Sequence, residues 1–447
     1  MNNSNWTKYS WRSFTAAQQP RWPDAGVCDD TLKSLAQLPP LVFAGESLTL
    51  KHQLAEAVEG KAFVLQCGDC AEDFSRCTGT DIRDLLKVIL QMALIITYAG
   101  EKRVIKIGRI SGQYAKPRSS DTELIDGIEL PSYRGDMVNS PDPTLEARTP
   151  DPRRMLEGYF RATATLNLVR AFTRGGYAAL NHVKEWQRTS LENLPVAQKY
   201  DQVADGIKKT LNFMSAIGID TNSPQMNQVT LFTSHEALLL DYEEAMTRRD
   251  STTGDWYDCS AHLLWIGDRT RQLEGAHIEF LRGVQNPIGM KVGPNHDIDD
   301  IKRIVSKLNP GNVPGRLTLI TRFGANKVTS FLPRLIREMK REGFKILWVC
   351  DPMHGNTYQN SSGRKSRKFS DILKEIQKFH KIHRAEGTVA GGVHLELTGD
   401  NVTECTGGSR KLRDEHLHLN YQTNCDPRLN AEQAVELAFE LADLLSP

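Results

Sequence analysis

The sequence has almost no net charge to offer a partner. Its 56 basic residues are balanced by 55 acidic ones, a formal charge of +1, so no whole-chain field draws it to nucleic acid or to an anionic membrane. Long apolar runs are missing too. The longest, Val88 to Ala99, is interrupted by Gln91 and falls short of the roughly 20 residues that a helix needs to cross a bilayer. Met1 to Ser10 holds neither an apolar core nor an Arg-rich amphipathic pattern, which predicts neither secretion nor organelle import and places the protein in the cytoplasm. Eight cysteines in 447 residues are too few for a disulfide scaffold. Cys67 and Cys70 do form a C-x-x-C pair with a redox reading, but no second pair follows at zinc-ribbon spacing. Neither G-x-G-x-x-G nor a Walker A sequence occurs, which removes the main support for a nucleotide-binding fold. No fixed-period repeat marks a solenoid.

What is present is a recurring unit: a short apolar run that stops at Gly, His, Cys or a charged residue, followed by a stretch with helical spacing. Ala62 to Gln66 ends at Cys67-Gly-Asp-Cys70, Val104 to Ile107 at Gly108-Arg109, and Ala178 to Leu180 at Asn181-His182. His262 to Ile266 ends at Gly267-Asp-Arg269, Ile288 to Lys291 at Val292-Gly-Pro294, and Leu317 to Ile320 at Thr321-Arg322. Ile346 to Val349 ends at Asp351-Pro-Met-His354, and Gly392 to Glu396 at Leu397-Thr-Gly399. Between them Asp81 to Ala99, Asp299 to Leu308, Ser330 to Glu342 and Ser370 to Ala385 carry helical periodicity. Eight strand-then-helix units predict an α/β fold of the closed (β/α)8 TIM-barrel type, in which chemistry sits at the carboxyl ends of the strands.

Three segments exceed a minimal barrel. Residues 1–50, rich in Trp, Pro and Gln, read as an irregular arm packed on a single catalytic barrel spanning 51–447. Asp121 to Asp151 reads as a long Pro-punctuated loop after the second strand. Residues 182–227 read as a helical insertion between strands three and four, where Val203, Ile207, Leu211 and Met214 fall on one face. That stripe packs either on its own barrel or on an interface or effector surface.

Two constellations of side chains carry chemistry. Cys70, His354, Glu396 and Asp426 combine a thiolate, an imidazole and two carboxylates, a donor set for one divalent ion of the Mn, Co, Fe or Zn kind rather than Mg or Ca. Singly, each has an ordinary role: Cys70 as core, His354 as a hydrogen-bonding histidine, Glu396 as an ion-pair partner, Asp426 as a turn former before Pro427. The second constellation is cationic. Arg109, Arg269, Lys291 and Arg322 each close a different apolar run, and Lys116-Pro-Arg118-Ser119 adds a compact cluster. Guanidinium forks match phosphate and carboxylate, so several at one mouth suit two anionic ligands. Arg282 and Arg316 read as structural ion pairs, and Gly363-Arg-Lys-Ser-Arg-Lys368 as a solvated loop.

Longer motifs add a resemblance. Leu65-Gln-Cys-Gly-Asp-Cys-Ala-Glu72, Gly112-Gln-Tyr-Ala-Lys-Pro-Arg-Ser119, Tyr133-Arg-Gly-Asp-Met137, Trp265-Ile-Gly-Asp-Arg-Thr-Arg271, Cys350-Asp-Pro-Met-His-Gly-Asn-Thr357, Gly399-Asp-Asn-Val-Thr-Glu-Cys405 and Cys425-Asp-Pro-Arg-Leu-Asn430 closely resemble the type II 3-deoxy-D-arabino-heptulosonate 7-phosphate (DAHP) synthases. The resemblance implies a (β/α)8 transferase that condenses phosphoenolpyruvate with erythrose 4-phosphate at the entry to the shikimate pathway, or a secondary-metabolism paralogue, including one making an amino-sugar analogue. It implies metal ligands at Cys70, His354, Glu396 and Asp426, with Mn2+ first among the candidate ions. It places phosphoenolpyruvate contacts at Arg109, Asp268, Arg269, Lys291 and Arg322 and an erythrose 4-phosphate clamp at Lys116, Arg118 and Ser119. Lys291, Arg269 and His354 then act in catalysis. Asp268 stands where Glu is expected, and Cys67 where Gly is usual. The family pattern also permits a Cys70–Cys425 disulfide in metal-free protein, aromatic amino-acid effectors, a homodimer or homotetramer, and a chorismate mutase partner.

Overall fold

The computed structural model describes residues 6–187, 195–221 and 223–446. Eight parallel strands close into a barrel: β1 (Ala62–Gly68), β2 (Arg103–Arg109), β3 (Phe232–Glu236), β4 (Leu263–Ile266), β5 (Ile288–Val292), β6 (Leu317–Thr321), β7 (Leu347–Cys350) and β8 (Gly392–Glu396). Each pairs with its neighbours in chain order, and β8 closes onto β1 with Val64 opposite Gly392 and Gly68 opposite Glu396. Side chains alternate in and out along each strand. Val64, Ile105, Phe232, Trp265, Ile320 and Val349 fill the interior, while Leu65, Cys67, Val104, Met290, Leu319 and Val393 face the helical layer. Cys67 therefore belongs to the outer core, on the opposite face of β1 from Gln66, which bonds to Ser234 and His394 inside the barrel.

Seven of the eight predicted strands are present. The third is not: Ala178 to Leu180 forms no strand, Leu180–His182 being a turn of 3-10 helix, and the true third strand is Phe232-Thr-Ser-His-Glu236. Its inner face carries Phe232, Ser234 and Glu236, so no apolar run announces it. Ser234 accepts from Gln66 and donates to the Gly108 carbonyl, which satisfies the buried hydroxyl. The predicted insertion at 182–227 thus lies between strands two and three, in the same connection as Asp121 to Asp151, rather than between strands three and four. That earlier segment is not a bare loop. It folds as a hairpin, Thr122–Ile125 against Ile128–Pro131, and a short helical turn at Leu145–Arg148.

Helices clothe the barrel, among them the segments whose apolar spacing predicts helix. α1 (Ala25–Gln37), α2 (Ala44–Val58), α3 (Gly79–Ala99), α4 (Arg154–Arg174), α5 (Pro195–Ala216), α6 (Ile298–Leu308), α7 (Val328–Arg341), α8 (Phe369–Glu386) and α9 (Ala431–Leu445) are the principal ones. Local signals fix their ends: Thr78 caps α3 by accepting from the Asp81 amide, Asp297 caps α6, and Asn430 forms a capping box with Gln433 at α9. Of the insertion, residues 188–194 and 222 lie outside the described residues. Its helix α5 packs Val203, Ile207 and Leu211 onto Leu94 of α3 and Phe439 of α9, its own barrel's outer layer, with Met214 only half-buried.

The first 50 residues are more ordered than their Pro and Gln content predicts. They contain α1 and the first half of α2, which runs across residue 50. Leu50, Leu54 and Ala57 of α2 share one cluster with Ala62, Ile105, Leu263 and Leu347, so α2 stoppers the amino-terminal end of the barrel. Trp6 is buried against Gly283 and donates its indole N–H to the Glu279 carbonyl at 3.0 Å. A Cβ at position 283 would collide with the indole ring. Gly283→Ala is therefore expected to expel Trp6, at a cost of about 2–3 kcal/mol for exposing a large apolar side chain, and to speed proteolysis near residue 6 while the barrel stays folded. Unchanged digestion would show that the indole is not held there.

Candidate active site at the barrel mouth

The carboxyl ends of the strands surround a cavity lined by Cys70, Arg109, Lys116, Lys291, His354 and Glu396, together with Gln113, Pro117, Glu236, Trp265, Gly267, Asp268, Arg269, Arg322 and Asp426. Every predicted metal ligand and phosphoenolpyruvate contact lies in its wall, with Lys116 of the proposed clamp.

The backbone is shaped to deliver these groups. Gly68 ends β1 at φ +148, in close contact with the Arg109 carbonyl, where a Cβ would clash. The chain then turns through Asp69, whose carboxylate accepts from the Cys70 amide. Asp426 sits in a loop wound around buried Glu404, which accepts from the amides of Gln422, Thr423 and Arg428. The Arg428 guanidinium forks onto Glu404 at 2.8 and 3.0 Å and reaches Asp69 at 3.1 Å, tying the Asp426 loop to the Cys70 turn.

Ligand atoms of Cys70, Glu396 and Asp426 all lie within 4.8 Å of one another, and His354 Nε2 is 3.2 Å from Glu396 Oε1. Thiol, imidazole and carboxylates converge from four separate segments, a donor set that fits one divalent transition-metal ion. The Lys116 ammonium contacts Cys70 Sγ and lies 2.7 Å from Asp426 Oδ2. Burial opposes the charge on Glu396, yet His354, Arg367, Lys116 and Arg109 hold its carboxyl well below the ordinary range. Asp426 is likewise held down, chiefly by Lys116 against the effect of burial. Burial and Glu396 push the Cys70 thiol well up; a coordinated cation is what would deprotonate it. Cys70 and Cys425 are both free thiols.

His354 is oriented by Asp351. One carboxylate oxygen accepts from the Met353 and His354 amides; the other meets His354 Nδ1 at 2.8 Å and Lys291 Nζ at 2.5 Å. Asp351 thereby points Nε2 at Glu396 and links that cluster of donors to Lys291, which burial lowers to about 8. Such a carboxylate behind a ligating imidazole is a recurrent device.

The cations divide by how committed they are. Arg109, fully buried, donates Nε to the Asp69 carbonyl, Nη2 to the Cys70 carbonyl and Glu396, and Nη1 to His394, leaving one N–H on Nη1 for a ligand. Asp268 accepts from Arg271 at 2.9 Å, Arg322 at 3.1 Å and the Gly293 amide at 3.3 Å, so its carboxylate serves to hold Arg322. Arg269 is exposed and donates to Ser119 Oγ at 2.9 Å. Arg118 is turned away onto Glu123 at 2.5 Å and does not line the cavity.

Several functional groups escaped the sequence reading. Glu236, in the unrecognised third strand, lines the cavity with Oε1 unpartnered and is raised by burial above the usual carboxyl range. The basic run at 363–368 is a solvated loop only in part, with Gly363, Arg364 and Lys368 exposed. It forms the strand Lys365–Arg367, paired with Thr357–Gln359, which sends fully buried Arg367 onto Glu396 Oε2 at 2.7 Å and the Pro427 carbonyl, and Lys365 onto Asp426 Oδ1 at 2.9 Å. Ion pairing with the carboxylates of Glu396 and Asp426 is what draws these cations inward. Of the two arginines read as structural pairs, Arg282 does meet Glu279 at 2.6 Å, whereas Arg316 donates to the carbonyls of Leu281, Asn286 and Leu308.

A closed parallel barrel whose strand ends converge on a cation-lined cavity with a metal-type donor set defines an α/β-barrel enzyme working at its carboxyl-terminal mouth. The chain belongs to the Class-II DAHP synthetase family, whose model matches residues 6–442. A phospho-2-dehydro-3-deoxyheptonate aldolase of Streptomyces coelicolor is 49% identical over 435 residues, 97% of this chain and 96% of that protein. Proteins of the same name from Mycolicibacterium smegmatis and Neurospora crassa are 47% and 45% identical, covering 96% and 99% of this chain and 92% and 95% of their own. No helix among the described residues is long and apolar enough to cross a membrane.

Proposed function

We propose that this cavity condenses phosphoenolpyruvate with D-erythrose 4-phosphate and water, giving DAHP and phosphate, at one divalent ion held by Cys70, His354, Glu396 and Asp426. The observation that carries the reading is the convergence of that donor set on the wall of a cavity lined by Arg109, Lys116, Arg269, Lys291 and Arg322, in a chain of this family. When bound, the ion supplies Lewis-acid polarisation of a carbonyl oxygen.

The chain's own residues bind, orient and move protons. Arg269, Lys291, Arg322 and the remaining N–H of Arg109 hold the phosphate and carboxylate of phosphoenolpyruvate, with Asp268 fixing Arg322. Preorganised cations of this kind stabilise charge that develops during carbon–carbon bond formation. Lys116, beside Asp426, faces the aldehyde substrate, and Arg269 brings Ser119 to the rim of the same side. Lys291, near neutrality at about 8, and Glu236, with an unpartnered oxygen, are the groups placed to hold or release a proton as water adds and phosphate leaves.

The test is loss of phosphoenolpyruvate absorbance coupled to phosphate release, with erythrose 4-phosphate present and absent. Turnover is expected only with the aldehyde, to be abolished by chelator and restored by Mn2+, with Co2+ and Zn2+ compared. Turnover unaffected by exhaustive chelation would remove the metal from the reading, and none with erythrose 4-phosphate would remove the substrate.

A further inference from the structure

Behind the mouth, a buried carboxylate on α8 joins the loops that carry Arg322 and His354. Glu375 is fully buried, and its Oε1 accepts from the amides of Phe323 at 3.1 Å and Gly324 at 2.9 Å, the two residues after Arg322. Its Oε2 accepts from Asn356 Nδ2 at 2.7 Å, two residues beyond His354. Asn356 completes the arrangement. Its Oδ1 accepts from the Ala325 amide at 2.8 Å, and Nδ2 also donates to the Pro352 carbonyl at 2.8 Å. Three consecutive amides of the loop after β6 are thus satisfied by two side chains, one from α8 and one from the loop after β7.

The backbones meet at the same point. Gly324, at φ +84, lies against Gly355, and a Cβ on either would strike the other's backbone. Lys378, one turn along α8 from Glu375, donates to the Ala325 carbonyl at 2.6 Å. On the far side of the contact the two loops present their functional groups to each other, Arg322 Nη2 lying 3.5 Å from the His354 carbonyl.

We propose that Glu375 and Asn356 are positioning residues: a clasp that sets the anion-binding Arg322 relative to the metal-binding His354, so that substrate phosphate and ion are held at one fixed separation. This rests on the assignment of those two roles made above. Neither clasp residue touches the cavity, so both act through the loops they hold. A buried carboxylate bound only to amide donors locks two backbones without an ion pair that a charged ligand could compete for.

The experiment uses the full chain with Asn356→Ala, Glu375→Gln and the exchange Asn356→Asp/Glu375→Gln. The half-buried site of Asn356 makes the alanine variant the one that tolerates the change if Glu375→Gln fails to fold. In the exchange the amide at 375 keeps its oxygen for Phe323 and Gly324 and donates to the new carboxylate at 356, which keeps the Ala325 amide; only the bond to Pro352 is lost.

Each single variant is expected to raise KM for phosphoenolpyruvate and to weaken Mn2+ binding, measured in substrate-free protein by competition with a chromophoric chelator, by about tenfold or more, the size seen when outer-shell partners are removed. The exchange is expected to recover most of both. Singles that lower the melting temperature while leaving KM and Mn2+ affinity unmoved would overturn the clasp, as would an exchange no better than the worse single. Wild-type protein inactive towards phosphoenolpyruvate would instead sink the functional reading, and the Mn2+ measurement would still decide whether the loops are coupled.

Discussion

Replacing His354 with alanine is expected to lower turnover by about a thousandfold or more, because loss of Lewis-acid stabilisation is worth several kcal/mol and each 1.36 kcal/mol is a factor of ten. The same change should cost little stability. The His354 side chain is one-fifth exposed, and its removal leaves Asp351 still paired with Lys291 at 2.5 Å and with the Met353 and His354 amides. The effect should therefore divide cleanly: Mn2+ affinity by calorimetry falls with kcat, while the unfolding midpoint stays within about 1 kcal/mol of wild type. Undiminished turnover in folded protein would refute the ligand assignment. Glu396→Ala does not divide this way, since it would strip a partner from Arg109 and Arg367, both buried.

The largest loss of stability is expected from Arg428→Met. Arg428 is the shared partner of Glu404 and Asp69, with bonds of 2.8–3.1 Å to both, and all three are buried. Removing the cation leaves two buried carboxylates uncompensated, a loss of about 3–5 kcal/mol by analogy with other broken buried pairs, read as a shift in the urea midpoint. Arg428→Lys should recover only part of it, because an ammonium cannot reproduce the fork onto Glu404. The Asp426 loop is wound on Glu404, so Mn2+ binding should weaken in parallel. A wild-type midpoint for Arg428→Met would mean that the carboxylates are satisfied some other way.

These expectations also show where the sequence could be read and where it could not. Strands such as Leu317–Thr321 and Leu347–Cys350 are buried on both faces, so each appears as a run of apolar and β-branched residues. Phe232–Glu236 is equally buried, but its inner face is polar because it ends in the active cavity. Periodicity fails where function begins, and Ala178 to Leu180, apolar yet held in a turn, took its place. The convergence of Cys70 and Asp426, 356 residues apart, with His354 and Glu396 was legible through chemically distinctive motifs at strand ends. Arg367 and Lys365 were not, since six residues rich in Arg, Lys and Ser carry no sign of the carboxylates that bury them. Glu375 was silent for a similar reason: on its helix it looks like any surface glutamate, and only the loops packed over it reveal its role.

Helix α2, seated against the starts of the strands, also decides how traffic through the enzyme must run. With the floor shut by Leu50, Leu54 and Ala57, the substrates and products of the proposed condensation pass through the mouth at the carboxyl ends of the strands. On that proposal, departing products leave by the route that the next pair of substrates must enter, and the sequence of arrivals and exits is a property of that mouth.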